Sequence, residues 1–275
     1  ELNQFTKKSL LKEKRAYHTS TMLADGRVLI IGGNAEGRKL SSTEIYDPIA
    51  DQSSFGPSLK VARSHHQTVL INDSLLAVIG GQGDNEVINS IELIQLNGLT
   101  SNSTTTIASN TLKKGRSHFA AGKIPSKNII VVAGGFDYLT TAPDNGKGTD
   151  SIELIEIVTN NISASKVICG DQNYIMKNAR GAPGSVVTGG KLLVVGGVDG
   201  GRKILNTAEI ISINNIDMCS IDINETIGRL SVNRASPTMT LFGADDVMIT
   251  GGFSYDYTYN KTFSVAQSEI YTRAR

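Results

Sequence analysis

Five short apolar runs closed by a glycine pair punctuate the chain: VLIIGG, LLAVIGG, NIIVVAGG, KLLVVGG and DVMITGG. Each is rich in Val, Ile and Leu and lacks an apolar stripe at helical spacing, which is how a strand buried on both faces reads. None is long enough to persist as a helix. A glycine pair at a strand end permits positive φ and close backbone approach, so the pairs are expected to be turns. The segment GGVDGG at 196–201 also resembles a phosphate-binding loop, but no helix is predicted after it to offer N-terminal amides.

Polar markers recur in register with these runs. An arginine precedes each glycine pair by 16 to 18 residues: Arg15, Arg63, Arg116, Arg180 and Arg234. A glutamate followed by two apolar residues comes after each pair, at Glu44, Glu92, Glu153, Glu209 and Glu269, and Leu or Met stands four residues before each arginine. Markers kept in this order across five units define one repeated module, and a period near 50 residues predicts a β-propeller. Each unit is read as four antiparallel strands, A to D from the axis outwards. The blades are expected at about 13–60, 61–112, 113–177, 178–231 and 232–275, all in a single all-β domain over 1–275. The last unit stops after its strand C, so residues 3–11 are expected to supply its strand D and close the ring by pairing the two termini near Glu269–Tyr271.

In segments such as RAYHTSTMLADGRVLIIGGNAEGRKLSSTEIYD, the order of arginine, two apolar strands, glycine pair and Glu-apolar-apolar resembles the kelch family of β-propellers, over essentially all 275 residues. The usual kelch tryptophan is absent, and the tyrosine that follows the glutamate stands only at Tyr46 and Tyr271. The resemblance implies a five-bladed kelch-type propeller of divergent sequence. It also implies an alternative to binding, since some kelch propellers are enzymes, including copper radical oxidases and bacterial sialic acid mutarotases. The oxidase chemistry needs a cysteine beside a tyrosine, and neither Cys169 nor Cys219 falls on the ligand rim. The mutarotase reading needs a carboxylate and arginines in a pocket. Asp84, Glu86, Asp137 and Asp256 are its candidates.

Composition narrows the classes without choosing among them. A formal net charge of +1 provides no electrostatic footprint for nucleic acid, and no apolar run is long enough to span a membrane. The low charged fraction, 19%, leans towards an exported protein, and a monomer is expected. Cys169 and Cys219 fall on diverging outer strands, so a disulfide between them is not expected. His18, His65, His66 and His118 follow their arginines in the inner strands; without an accompanying acid cluster they predict no metal site, and no cofactor is expected.

Antiparallel strands place the arginines and all B-to-C loops on one rim. There Arg15, Arg63, Arg116, Arg180 and Arg234 are candidate contacts for an anionic ligand, or else structural partners of the five glutamates. The B-to-C loops of blades three and five are long and hold Phe136, Tyr138, Tyr255, Tyr257 and Tyr259. That of blade four is short and holds Arg202 and Lys203. Long loops of this kind usually carry recognition. The expected function is a non-enzymatic binding module for a protein, peptide or glycan, held in a groove with aromatic walls and a cationic floor.

Overall fold

The structure is a computed structural model that describes residues 8–108, 111–125, 129–139, 147–156, 166–168, 175–215, 220–224, 228–243 and 245–272. Five antiparallel sheets follow one another along the chain as the blades of a β-propeller. Blade one runs Thr19–Met22, Val28–Ile31, Thr43–Asp47 and Gln52–Phe55, from its inner strand A to its outer strand D. Blade two repeats that order with Gln67–Asn72, Leu75–Ile79, Ile91–Gln95 and Thr105–Ile107. Blade three consists of Ala120–Ile124, Ile129–Ala133, Ile152–Glu156 and Lys166–Ile168. Blade four consists of Gly184–Thr188, Lys191–Val195, Ala208–Asn215 and Ser220–Asn224. Blade five has three strands among the described residues: Thr238–Phe242, Asp246–Thr250 and Glu269–Tyr271. There is no helix long and apolar enough to cross a membrane among the described residues.

The apolar runs form strand B of every blade, which the sheet covers on both edges; in blades two to four neighbouring blades cover both of its faces. In Leu75–Ile79 and Ile129–Ala133 all five residues are buried. Alternation along these strands sends successive side chains to opposite neighbours. Ala77 and Ile79 join Ile130 and Val132 between blades two and three, whereas Leu76 and Val78 join Leu29 and Ile31 between blades one and two. The Leu or Met four residues before the arginine seals the same interfaces: Leu59, Leu112, Met176 and Leu230 are all buried. The core is therefore four slabs between blades rather than one central mass.

Among the described residues the expected closure is not formed. Residues 8–11 form no strand, and residues 3–7 lie outside the described residues. Ser9 N donates instead to Asp51 Oδ1 in the C-to-D turn of blade one (3.0 Å). Lys12 N and Glu13 N donate to Glu44, at 2.6 and 3.0 Å. The physical reason is the buried Glu44 carboxylate, which needs donors and takes these amides as Glu92 takes those of Lys60 and Val61. Residues 9–13 are thus held to blade one, and among the described residues Glu269–Tyr271 pairs only with Asp246–Thr250.

Candidate functional site

The rim that carries the arginines is built from one repeated lattice. In blade two, Arg63 reaches over its own sheet: Nη1 donates to the carbonyls of Gly80 (2.8 Å) and Ser90 (3.1 Å). Its Nη2 donates to Ser90 Oγ (2.9 Å) and to Glu92 (2.6 Å), and its Nε to the Val61 carbonyl (3.2 Å). Arg15 with Glu44, Arg116 with Glu153, Arg180 with Glu209 and Arg234 with Glu269 repeat the pairing. All five guanidinium side chains are enclosed, none more than 2% exposed. Burial pulls the Arg63 guanidinium below its usual range, and the facing Glu92 pushes it back up. Arg116 is placed likewise, with Glu153 opposing the burial.

The arginine main chain ties each blade to the one before it. Arg63 N donates to the Leu40 carbonyl (3.1 Å) and its carbonyl accepts from Gly33 N (2.9 Å). Gly33 has φ +109°, where L side chains are strained, and a Cβ there would meet the Ala16 carbonyl oxygen at 2.8 Å. The same pair of bonds recurs at Arg116, Arg180 and Arg234. A hydroxyl two residues before the glutamate, at Ser42, Ser90, Ser151 and Thr207, accepts from the arginine of its blade. That hydroxyl was visible in the repeats as a fifth marker, although the sequence reading did not single it out.

Inside the rim, the inner strands converge on a central cavity of about 260 Å³ lined by residues of all five blades. Tyr17, His65, His118, Ala182 and Ser236, each two residues after its arginine, share a left-handed backbone with φ of 50–56°. Their main chains form a chain of hydrogen bonds around the axis: His65 N to Tyr17 O, His118 N to His65 O, Ala182 N to His118 O and Ser236 N to Ala182 O. The rings of Tyr17, His65 and His118 stack at 4.1 and 3.8 Å. Burial drives the imidazoles down, His65 to about 4 and His66 and His118 to about 3, so they stay neutral. Burial also lowers His18, followed by the charge of Arg15. Ring nitrogens are engaged by hydroxyls: His66 Nε2 with Thr19 Oγ1 (2.9 Å), His65 Nδ1 with Ser64 Oγ (3.0 Å) and His118 Nδ1 with Ser117 Oγ (3.2 Å). Among the described residues no three His, Cys, Asp or Glu side chains are grouped to hold a metal.

The loops of blades three and five meet over blade four. Phe136 is fully buried and packs with Ala182, Val198, Ile204 and Ala235, against which Phe253 and Tyr255 also lean. A Cβ on Gly181 would lie 1.9 Å from the Phe136 ring, so a glycine is needed for that ring to cross blade four. Phe136 is therefore a packing residue of the rim. The blade-five loop forms a hairpin, Phe253–Asp256 with Lys261–Ser264. Its Tyr255 and Tyr257 rings meet edge to face at 5.0 Å. Ile204 N donates to Tyr257 Oη (3.2 Å), fastening the hairpin to the short loop of blade four.

Around this packed centre lie the exposed groups. Tyr257 and Tyr259 are 57% and 74% exposed, and Tyr138 is 38% exposed with its hydroxyl accepting from Lys147 N. Arg202 and Lys203 are both exposed. Asp199 Oδ1 holds their loop in shape by accepting from Gly201 N (2.7 Å) and Lys203 N (2.8 Å). The structure thus brings Tyr255, Tyr257, Arg202 and Lys203 together and encloses the five arginines and Phe136 beneath the surface. The four candidate acids fall on three loops, Asp84 and Glu86 sharing that of blade two. Asp84 accepts from Lys39 N (3.1 Å), Asp137 faces Lys114 at 3.8 Å, and Asp256 accepts from Thr258 N (2.8 Å) within its own turn. Cys169, Cys219 and residues 140–146 of the blade-three loop lie outside the described residues.

No curated protein matches the chain. The family profile of the kelch motif matches residues 15–60 and 179–215, spanning Arg15 to the end of blade one and Arg180 with its glutamate in blade four. Both stretches contain the arginine, glycine pair and glutamate that the structure joins into one lattice. These two stretches are kelch motifs by that profile, and the same lattice repeated on all five blades of the propeller is consistent with the kelch-repeat family.

Proposed function

We propose that the chain is a binding module whose ligand lies on the arginine rim, across the contact between the blade-five hairpin and the short loop of blade four. The kelch propeller fold is suited to protein interaction. One observation carries the finer reading: Tyr257 is hydrogen-bonded to Ile204 N yet remains 57% exposed. A ring held rigid while open to solvent loses little conformational freedom when a ligand stacks on it. Next to it stand Arg202 and Lys203, outside the ion-pair lattice that engages Arg15, Arg63, Arg116, Arg180 and Arg234. A flat ring beside two cations fits a peptide with Asp or Glu next to an apolar or aromatic residue. Tyr138 forms the far wall from blade three, and Tyr259 extends the near one.

The test is a titration of fluorescent acidic-aromatic peptides, with an acidic-glycan array alongside. Tyr259→Ala and the pair Arg202→Ser with Lys203→Ser are expected to weaken peptide binding at least about tenfold, with melting unchanged. Tyr257→Phe keeps the ring and removes only the hydroxyl that accepts from Ile204 N. Binding that is indifferent to these changes would overturn the site; capture of acidic glycans alone would overturn the peptide. No observation favours the mutarotase-type alternative: the five rim arginines it would use are engaged by the glutamates.

A further inference from the structure

The ring has a seam. Between consecutive blades one to five, every contact repeats a fixed set of bonds, and among the described residues the same set has no counterpart between blade five and blade one. Gly33, Gly81, Gly135 and Gly197 each donate their N–H to the arginine carbonyl of the following blade, at 2.7–2.9 Å. Among the described residues no such bond leaves Gly252, and none joins Ser236 O to Tyr17 N. A Cβ on Gly32, Gly80, Gly134 or Gly196 would meet that following arginine's carbonyl oxygen within 2.7 Å, whereas one on Gly251 meets nothing within 4 Å.

The side chains show the same interruption. Three residues before the glycine pair, Leu29, Ala77, Val131 and Leu193 all face the next blade and are all 0% exposed. Met248 holds that register position in blade five and is 39% exposed. After the glutamate, Ile45, Leu93 and Leu154 are buried, while Ile270 is 59% exposed. On the opposite side of the seam Met22 is 72% exposed. Apolar residues at interface positions are thus uncovered on both lips, in the register that elsewhere builds the core.

We propose that this seam is the seat of one further blade: a four-stranded antiparallel sheet built on the same Arg, Gly-Gly and Glu repeat and linked in tandem to this chain. Continuity with the four existing interfaces sets its chemistry. Its first strand must offer a backbone N–H to Val265 O and a carbonyl to Gly252 N, as Arg63 does for Leu40 and Gly33. A left-handed residue two positions later must donate to Ser236 O. Its other face must give Tyr17 N an acceptor and cover Met22.

A second copy of the chain does not fit this seat. Tyr17 and Ser236 line the same cavity, so the lips stand close at the axis. A second five-bladed arc laid on blade five would run into blade one of the first. A separate lone sheet is also a poor occupant, because one repeat cannot bury its own faces.

Two measurements on soluble protein test the proposal. In the 275-residue chain, hydrogen exchange at Gly252 and Tyr17 should be fast while Gly197 and Ser236 are protected, and an apolar dye should bind and be lost in Met248→Glu with Ile270→Glu. Then a copy of residues 61–112, or separately of 178–231, is appended after Arg275. At least one extended chain should slow exchange at Gly252 about tenfold or more, raise Tm and abolish dye binding. Strong protection of Gly252 and Tyr17 in monomeric 275-residue protein would mean that the five blades close on themselves. Protection that appears with oligomers in sedimentation would assign the seam to a second copy. Either result, or failure of both extensions to protect Gly252, overturns the proposal.

Discussion

At the scale of single residues, the arginine and glutamate lattice shows how a charge can be enclosed and still hold a fold together. Arg63 has all five of its N–H donors directed at acceptors, and Glu92 accepts from two backbone amides as well as from the guanidinium. Removing one partner strands the other, so Glu92→Ala is expected to cost about 3 kcal/mol or more in chemical denaturation. The exposed Arg27 and Asp25 pair serves as control, and Arg27→Ala should cost less than about 1 kcal/mol. The channel histidines make a second residue-scale prediction. Their folded pKa values, about 4 for His65 and about 3 for His66 and His118, lie below the unfolded value near 6.5. The unfolded chain therefore binds more protons below pH 6.5, and stability present above that pH is lost as pH falls towards 4. His66→Gln should reduce the slope of unfolding free energy against pH over this window, whatever it does to the midpoint at pH 7. An unchanged slope would contradict the neutral buried imidazole.

Among elements, the informative contrast is between two rings on the same rim. Phe136 is fully buried over blade four, so Phe136→Ala should cost about 3 to 5 kcal/mol. Tyr259 is 74% exposed, and Tyr259→Ala should stay within about 0.5 kcal/mol. Gly181→Ala approaches the same contact from beneath. Its methyl must displace the Phe136 ring or shift blade four, at about 1 to 3 kcal/mol. Denaturant midpoints of the three variants check the series; a Gly181→Ala protein as stable as the parent would show that the blade-three loop moves freely. In the sequence all these aromatics looked alike, because loop length and ring count carry no information on which ring the glycine beneath it admits.

For the whole molecule, stability resides in slabs between blades, and each slab needs both of its neighbours. Leu193 and Met248 occupy one register position in blades four and five, yet only Leu193 is covered. Leu193→Ala should therefore cost about 2 to 5 kcal/mol in equilibrium unfolding, and Met248→Ala less than about 1 kcal/mol. Equal losses would mean that Met248 is covered in solution.

The sequence by itself determined the repeat and the recurrence of Arg with Glu in it, because a buried strand demands an apolar run and a left-handed turn favours glycine; that each arginine is enclosed against its glutamate was decided by the fold. Strand B of every blade was legible on those grounds, and the five ion pairs were one of two roles the arginines could take. Closure was not. Residues 8–13 carry the same spacing of Leu11 to Arg15 as the other repeats, but only the fold shows that Glu44 draws the amides of Lys12 and Glu13 to blade one and that blade five has three strands among the described residues. Nor could spacing separate Phe136, which fills a gap, from Tyr257, which is fastened yet open. Local patterns report what each strand needs from its neighbours; which neighbour arrives is decided by the packing of the whole ring.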